Sequence, residues 1–204
     1  MAYYYRDERH RRDDPGAGME IRRVRPGEAG RLRELRLRAL EDAPRQFFSS
    51  LQAERELPAG YWESWAGGED GKAAFVAVED GPWLGLAAAF LHPEKAATAS
   101  LWWGWVAPAA RGRGLGRRLL EAGAGWARRH GAARLELAVA ETNETAVQFC
   151  RGLGFVPTGE RRSMASDPTR VGVFMARPVG PVPAGPVPDG SVPNGPAPDD
   201  AADP

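Results

Sequence analysis

The chain contains one cysteine, Cys150, which excludes an internal disulfide and any zinc site built from cysteine pairs. Its three histidines, His10, His92 and His130, share no metal-ligand spacing, so no metal is expected. No apolar run approaches 18 residues without glycine or charge, which excludes a helical membrane span. The start lacks the hydrophobic segment of a secretion signal. Neither sign of charge is in excess, with 27 basic and 27 acidic residues. These absences describe a soluble cytoplasmic protein with neither membrane nor nucleic acid as its partner.

The ends differ in composition from the middle. From Pro178 onward the chain holds nine of its 18 prolines and four acids, without a base. Proline donates no backbone hydrogen bond, so 178–204 is expected to be a disordered acidic tail. Residues 1–18 carry four arginines, four acids and three consecutive tyrosines without helical or strand period, and disorder is expected there too. The remaining 19–177 suffice for one well-buried domain and carry 23 basic against 19 acidic residues. That modest excess suits an anionic small ligand better than a nucleic-acid backbone.

Within 19–177 the periodicities predict a mixed α/β domain. Met19 to Arg25 alternates as a strand, and Glu28 to Glu41 places Leu32, Leu35 and Leu40 on one helical stripe. Pro44 is read as starting a second helical stretch through Phe47, Phe48 and Leu51, and Pro58 a turn carrying Tyr61, Trp62 and Trp65. Strands are expected over 72–79, 82–91 and 98–106, with a hairpin turn at Asp80-Gly81. A helix over 114–130, a strand at 135–139, a helix capped by Asn143, a short strand from Phe155 and a last one over 171–176 complete the order. Alternation sends Trp102 and Trp103 to opposite faces of their strand.

The chemistry concentrates after the Trp-rich strand over 98–106, in Val106-Ala-Pro-Ala-Ala-Arg111-Gly112-Arg113-Gly114-Leu115-Gly116. A glycine turn entering a helix leaves amides unpaired at the positive end of the helix dipole, an arrangement suited to a diphosphate. Gly112, Gly114 and Gly116 allow oxygens close to the main chain, and Arg111 and Arg113 add positive charge. No Gly-Lys-Ser/Thr ending follows, and the glycine spacing is not that of a dinucleotide fold.

This segment resembles the acetyl-CoA signature of the GNAT superfamily of N-acetyltransferases, Arg/Gln-x-x-Gly-x-Gly/Ala, with Val-x-Pro just upstream. Asn143-Glu-Thr-Ala146-Val-Gln-Phe149-Cys150-Arg-Gly-Leu-Gly154-Phe155 is similar to the family's later Asn-x-x-Ala-x-x-Phe-Tyr-x-x-x-Gly-Phe motif. The resemblance spans about 19–177 and is sharp from Val106 to Phe155. It implies a GNAT-like, mostly antiparallel twisted sheet with helices on both faces, and direct acetyl transfer from acetyl-CoA to a primary amine. It also implies that the strand before the loop bulges and splays, freeing backbone groups of Gly104, Trp105 and Val106 for the pantetheine arm. Gly104 suits the bulge, or else packs as a small residue between Trp103 and Trp105. By the same resemblance Gly112 to Gly116, Leu115 included, grip the diphosphate and Asn143 touches the cofactor near the thioester.

The departures concern proton transfer. Cys150 stands where the family usually has the tyrosine that protonates the leaving thiolate, and is either a shorter acid or a small buried hydrophobe. Tyr61 or water is the alternative donor. Ala138 stands where some relatives have a glutamate base; Glu136, on the same strand face, is the candidate base through water, with Glu54 and Glu141 as further candidates that otherwise read as ordinary surface acids. The expected partners are an amine acceptor and, as an assembly state, a second copy of the chain. A catalytically weak acyl-CoA-binding module is the rival reading.

Overall fold

The computed structural model describes residues 18–69 and 71–179. The expected disordered ends lie outside them, except for Gly18, in a turn before Met19, and for Pro178 and Val179: Pro178 closes the last strand and the Val179 amide donates to Ala133 O at 2.9 Å. Element order is β1 (Met19–Arg23), α1 (Ala29–Asp42), α2 (Leu51–Arg55), α3 (Ala59–Gly67), β2 (Lys72–Glu79), β3 (Trp83–Leu91), β4 (Thr98–Val106), α4 (Leu115–Arg129), β5 (Arg134–Ala140), α5 (Glu144–Gly152), β6 (Val156–Met164) and β7 (Asp167–Pro178). The strands form one sheet in the order β1-β2-β3-β4-β5-β7-β6. Only the β4–β5 pair is parallel, so the expected mostly antiparallel mixed sheet is what forms.

Each face of the sheet carries helices because each face is apolar. Phe75, Ala87, Leu101, Leu135 and Leu137 meet the stripes of α4 (Leu115, Leu119, Ala127) and α5 (Ala146, Phe149). On the other face Val76, Leu86, Trp102, Trp103 and Trp105 meet α1 (Leu32, Leu35, Leu40) and α3 (Trp62, Trp65). Burying an aromatic or branched side chain contributes about 1.5–3 kcal/mol each, so these two layers dominate stability.

Three local readings change. Pro44 does not start a helix: 43–50 is a loop, and α2 begins only after Ser50, whose hydroxyl accepts from the Ala53 amide at 3.1 Å. The expected short strand at Phe155 is a nine-residue edge strand, β6. Its side chains are exposed on both faces almost throughout, so no apolar period marks it in the sequence. Finally β7 begins at Asp167, four residues before the expected Val171.

The loop from β1 into α1 is tied by Glu28, which accepts from Arg22 at 2.7 and 2.8 Å and from the Arg25 amide at 2.9 Å. The Arg22 hydrogen bond, more than the charge alone, holds the Glu28 carboxyl down at about 2. A carboxyl with a depressed folded pKa stabilises the fold above its ordinary value and loses that contribution as pH falls through the folded one. Glu28→Gln is therefore expected to lower the melting temperature at pH 7 and to flatten its fall between pH 4.5 and 2. Parallel curves for the two proteins over that interval would contradict this.

Candidate active site

Two features of β4 open the sheet. Its ladder with β5 covers only Thr98–Leu101 against Arg134–Leu137, although β4 continues to Val106 and β5 to Ala140. Beyond Leu101 the two strands part. On its other edge β4 bulges against β3: Leu86 faces Trp105 and Ala88 faces Trp102, so three steps on β4 oppose two on β3. Gly104 lies within this bulge, and the left-handed residue beside it is Trp103, at φ 60°. A non-glycine residue there costs on the order of 1–3 kcal/mol and persists only where its surroundings hold it. Here the Trp103 ring lies 4.5 Å from Trp65 and 5.9 Å from Trp62.

The bulge also corrects the two tryptophans' faces. Trp102 and Trp103 both point toward α1 and α3, because the extra residue cancels one alternation. The indole of Trp105 points the same way and donates to Asp42 Oδ2 at 2.8 Å.

After β4 comes a short 3₁₀ turn, Pro108–Ala110, and then the glycine loop. Gly112 and Gly114 adopt φ 78° and 73°, and a Cβ on either would point into open space. Gly114 is the N-cap of α4 and no side chain caps that end. The first-turn amides of Leu115 and Gly116 thus have no intrahelical acceptor, and the helix dipole adds positive potential over an open, side-chain-free surface.

The two loop arginines are differently placed from one another. Arg111 folds back: Nε donates to Val106 O at 3.0 Å and Nη2 to Asp42 Oδ2 at 2.6 Å, so its side chain braces the loop from behind. Asp42, the last residue of α1, thereby joins loop, bulged strand and helix, a role nothing in its sequence neighbourhood signals. Arg113 pairs with Glu79 at the exposed rim, with Nη1 donating at 3.0 Å. That hydrogen bond keeps the Glu79 carboxyl below its usual range. An exposed pair of this kind is weak and easily exchanged.

Asn143 caps α5, its Oδ1 accepting from the Ala146 amide at 3.0 Å, at the end of β5 that parts from β4. Cys150 is fully buried among Phe149, Leu153 and Phe155, and burial drives its thiol well above the ordinary range. Glu136 sits where β4 and β5 still pair, opposite Ser100, and is bound by Lys95 at 3.0 Å and Arg134 at 2.8 Å. Burial alone would raise its pKa, but the hydrogen bonds from Arg134 and Lys95 bring it below the usual value. Glu54 is not a surface acid: it is buried and takes Arg36 Nε at 2.9 Å and Nη2 at 2.6 Å. Glu141 is exposed and pairs with Arg161 at 2.6 Å. The Tyr61 hydroxyl is pushed up to about 12, chiefly by burial, so it stays protonated.

No group of three or more metal-binding side chains lies among the described residues, and no helix there is long and apolar enough to cross a membrane.

The whole frame recurs in solved structures. A GCN5-related N-acetyltransferase from Kribbella flavida is 29% identical, with TM-score 0.64 over 79% of this chain and 98% of that one. The structure of yncA from Salmonella typhimurium, solved with its cofactor acetyl-CoA, is 21% identical, with TM-score 0.63 over 82% and 98%. A ribosomal-protein-alanine N-acetyltransferase from Brucella melitensis is 21% identical, with TM-score 0.61 over 78% and 99%. No curated protein matches the sequence significantly. The model of the acetyltransferase (GNAT) family matches residues 36–155, more than half of the chain and including both the bulged strand and the glycine loop. The chain belongs to the GNAT acetyltransferase family.

Proposed function

We propose that this protein is an acetyl-CoA-dependent N-acetyltransferase that moves the acetyl group directly to a primary amine. The observation that carries the proposal is the uncapped start of α4, framed by left-handed Gly112 and Gly114, directly after a strand that has parted from its neighbour. Loop amides from Gly112 to Gly116 would take the diphosphate, with Arg113 leaving Glu79 to join them. Backbone groups of Gly104, Trp105 and Val106, which have no β5 ladder, would take the pantetheine arm, and Asn143 would lie near the thioester. Bound there, acetyl-CoA supplies the activated acyl group and a good leaving thiolate.

The protein's own contribution is mainly to hold and orient the reactants, since the candidate bases Glu136, Glu54 and Glu141 are each taken up in an ion pair. Glu136 is an ion-paired, weakened base at the closed end of the ladder, and Ala138 has nothing to offer. Proton removal therefore falls to water, or the amine arrives neutral. Buried Cys150 acts in this reading as a core hydrophobe and not as the acid; Tyr61 or water protonates the thiolate. Cys150→Ala is expected to keep kcat within about twofold and to lose only the modest stability of a small buried group. A kcat loss above tenfold, with acetyl-CoA affinity retained, would restore the thiol to the mechanism. A cytoplasmic setting, which keeps a lone thiol reduced, is part of the same reading.

The empty acid–base positions also favour a second reading, an acyl-CoA-binding module with little turnover. Thiol release from acetyl-CoA across a panel of primary amines separates the two. Amine-dependent release supports the enzyme; tight binding without release from any amine supports the module.

A further inference from the structure

On the α1–α3 side of the sheet the buried side chains form two separate groups. One holds Trp103, Trp65 and Phe47; the other holds Phe48, Ala138, Ala140, Met164 and Phe174. Between them lies the line along which β4 and β5 part. The loop 43–50 crosses that line, with Phe47 turned to one wall and Phe48 to the other.

On the sheet itself the second group offers small residues at Ala138, Ala140 and Gly172. Ala138 faces Phe174 and Ala140 faces Gly172 across the β5–β7 ladder. The space above them is filled by the Phe48 ring, which meets Phe174 edge-on at 6.2 Å. A Cβ at Gly172 would overlap that ring, lying 2.7 Å from its Cε2. The loop is pinned in this position: Ser166 donates from its amide to Phe48 O at 2.7 Å and from its hydroxyl to Phe47 O at 2.6 Å. Arg170 adds a hydrogen bond to Arg45 O and another to Thr142 Oγ1 at 2.9 Å. Two carboxylates beside these groups are already paired, buried Glu54 with Arg36 and exposed Glu141 with Arg161.

We propose that Phe48 sets the width of the amine-accepting gap, and that the acceptor is a slender primary amine with an apolar body. This rests on the acetyltransferase reading above. The side chains that border the parting in these two groups are apolar, so they suit a narrow apolar acceptor better than a polycationic one. Phe48 then acts as a specificity-determining residue, occupying volume that Ala138, Ala140 and Gly172 leave open.

The test measures acetyl transfer from acetyl-CoA to 2-phenylethylamine, to the wider 2-(1-naphthyl)ethylamine and to spermidine. Wild type, Phe48→Ala, Phe48→Leu and Gly172→Ala are compared, with acetyl-CoA affinity measured calorimetrically in each. Wild type is expected to prefer 2-phenylethylamine over both others. Phe48→Ala should raise the wide-to-narrow ratio of kcat/KM at least tenfold and Phe48→Leu by less. Gly172→Ala, which overlaps the ring and forces it off its seat, should shift that ratio at least threefold. Acetyl-CoA affinity should stay within twofold throughout. Ratios unmoved in the folded variants, or a wild-type preference for spermidine, overturn the proposal about Phe48 alone. Failure of wild type to bind acetyl-CoA overturns the acetyltransferase reading beneath it.

Discussion

Gly114→Val is expected to weaken acetyl-CoA binding at least about 100-fold while leaving kcat at saturation within a few-fold. Two effects meet at this position, one on the stability of the loop and one on the ligand. The residue sits at φ 73°, where a β-branched side chain carries a strain on the order of 1–3 kcal/mol. Its side chain would also enter the open space above the Leu115 and Gly116 amides, which is where the account puts phosphate oxygens. Hydrogen bonds to charged groups contribute about 1.5–3 kcal/mol each, so losing two of them corresponds to roughly a hundredfold to ten-thousandfold in affinity. Gly112→Ala, with strain but a smaller obstruction, should fall between the two proteins. Calorimetry on the folded variant reads the effect directly, and an affinity equal to wild type would show that the phosphates do not approach Gly114.

Arg36→Ala is expected to lower the melting temperature by on the order of 10 °C. The guanidinium is buried, bound twice by Glu54, and flanked by Phe47 at 4.2 Å and Trp103 at 5.6 Å. Its removal strands a buried carboxylate between α1 and α2, which costs about 3–5 kcal/mol. For a domain of this size each kcal/mol moves the midpoint by roughly 2–4 °C. Replacing both partners by apolar residues, as Arg36→Met with Glu54→Leu, should recover most of the loss, because no charge is then left buried alone. A single substitution that melts within 2 °C of wild type would mean that the pair is not buried in solution.

The same pair shows what a linear sequence conveys and what it withholds. The glycine loop and the Asn143 cap were legible because their geometry is local: glycines at φ above zero entering a helix, and an amide side chain just before one. Glu54 looked like a surface acid because its partner stands 18 residues away on another helix. Glu136 looked available because Lys95, 41 residues distant, is invisible from its strand. Strand alternation placed Trp102 and Trp103 on opposite faces, a rule that fails wherever a bulge adds a residue. The bulge itself was expected, but the left-handed residue is a tryptophan because the aromatic packing around Trp65 fixes it there. In loop 43–50, Pro44 and the two phenylalanines imitate a helix start, while their real constraint comes from Ser166 and Arg170, more than 100 residues on.

Asp42 has the same explanation. Its two hydrogen bonds reach 63 and 69 residues along the chain, and they tie the end of α1 to the bulged strand and the glycine loop. Glycines and caps declare themselves within a few residues; braces and plugs exist only after the sheet has closed.

A crystal structure of the protein grown with coenzyme A is the most direct arbiter. The diphosphate should lie against the start of α4, its oxygens 2.7–3.2 Å from main-chain nitrogens of the 112–116 segment, with the thiol arm running between the diverged ends of β4 and β5. Phosphates resting instead on the arginines of α1, or a thiol arm outside that opening, would contradict it.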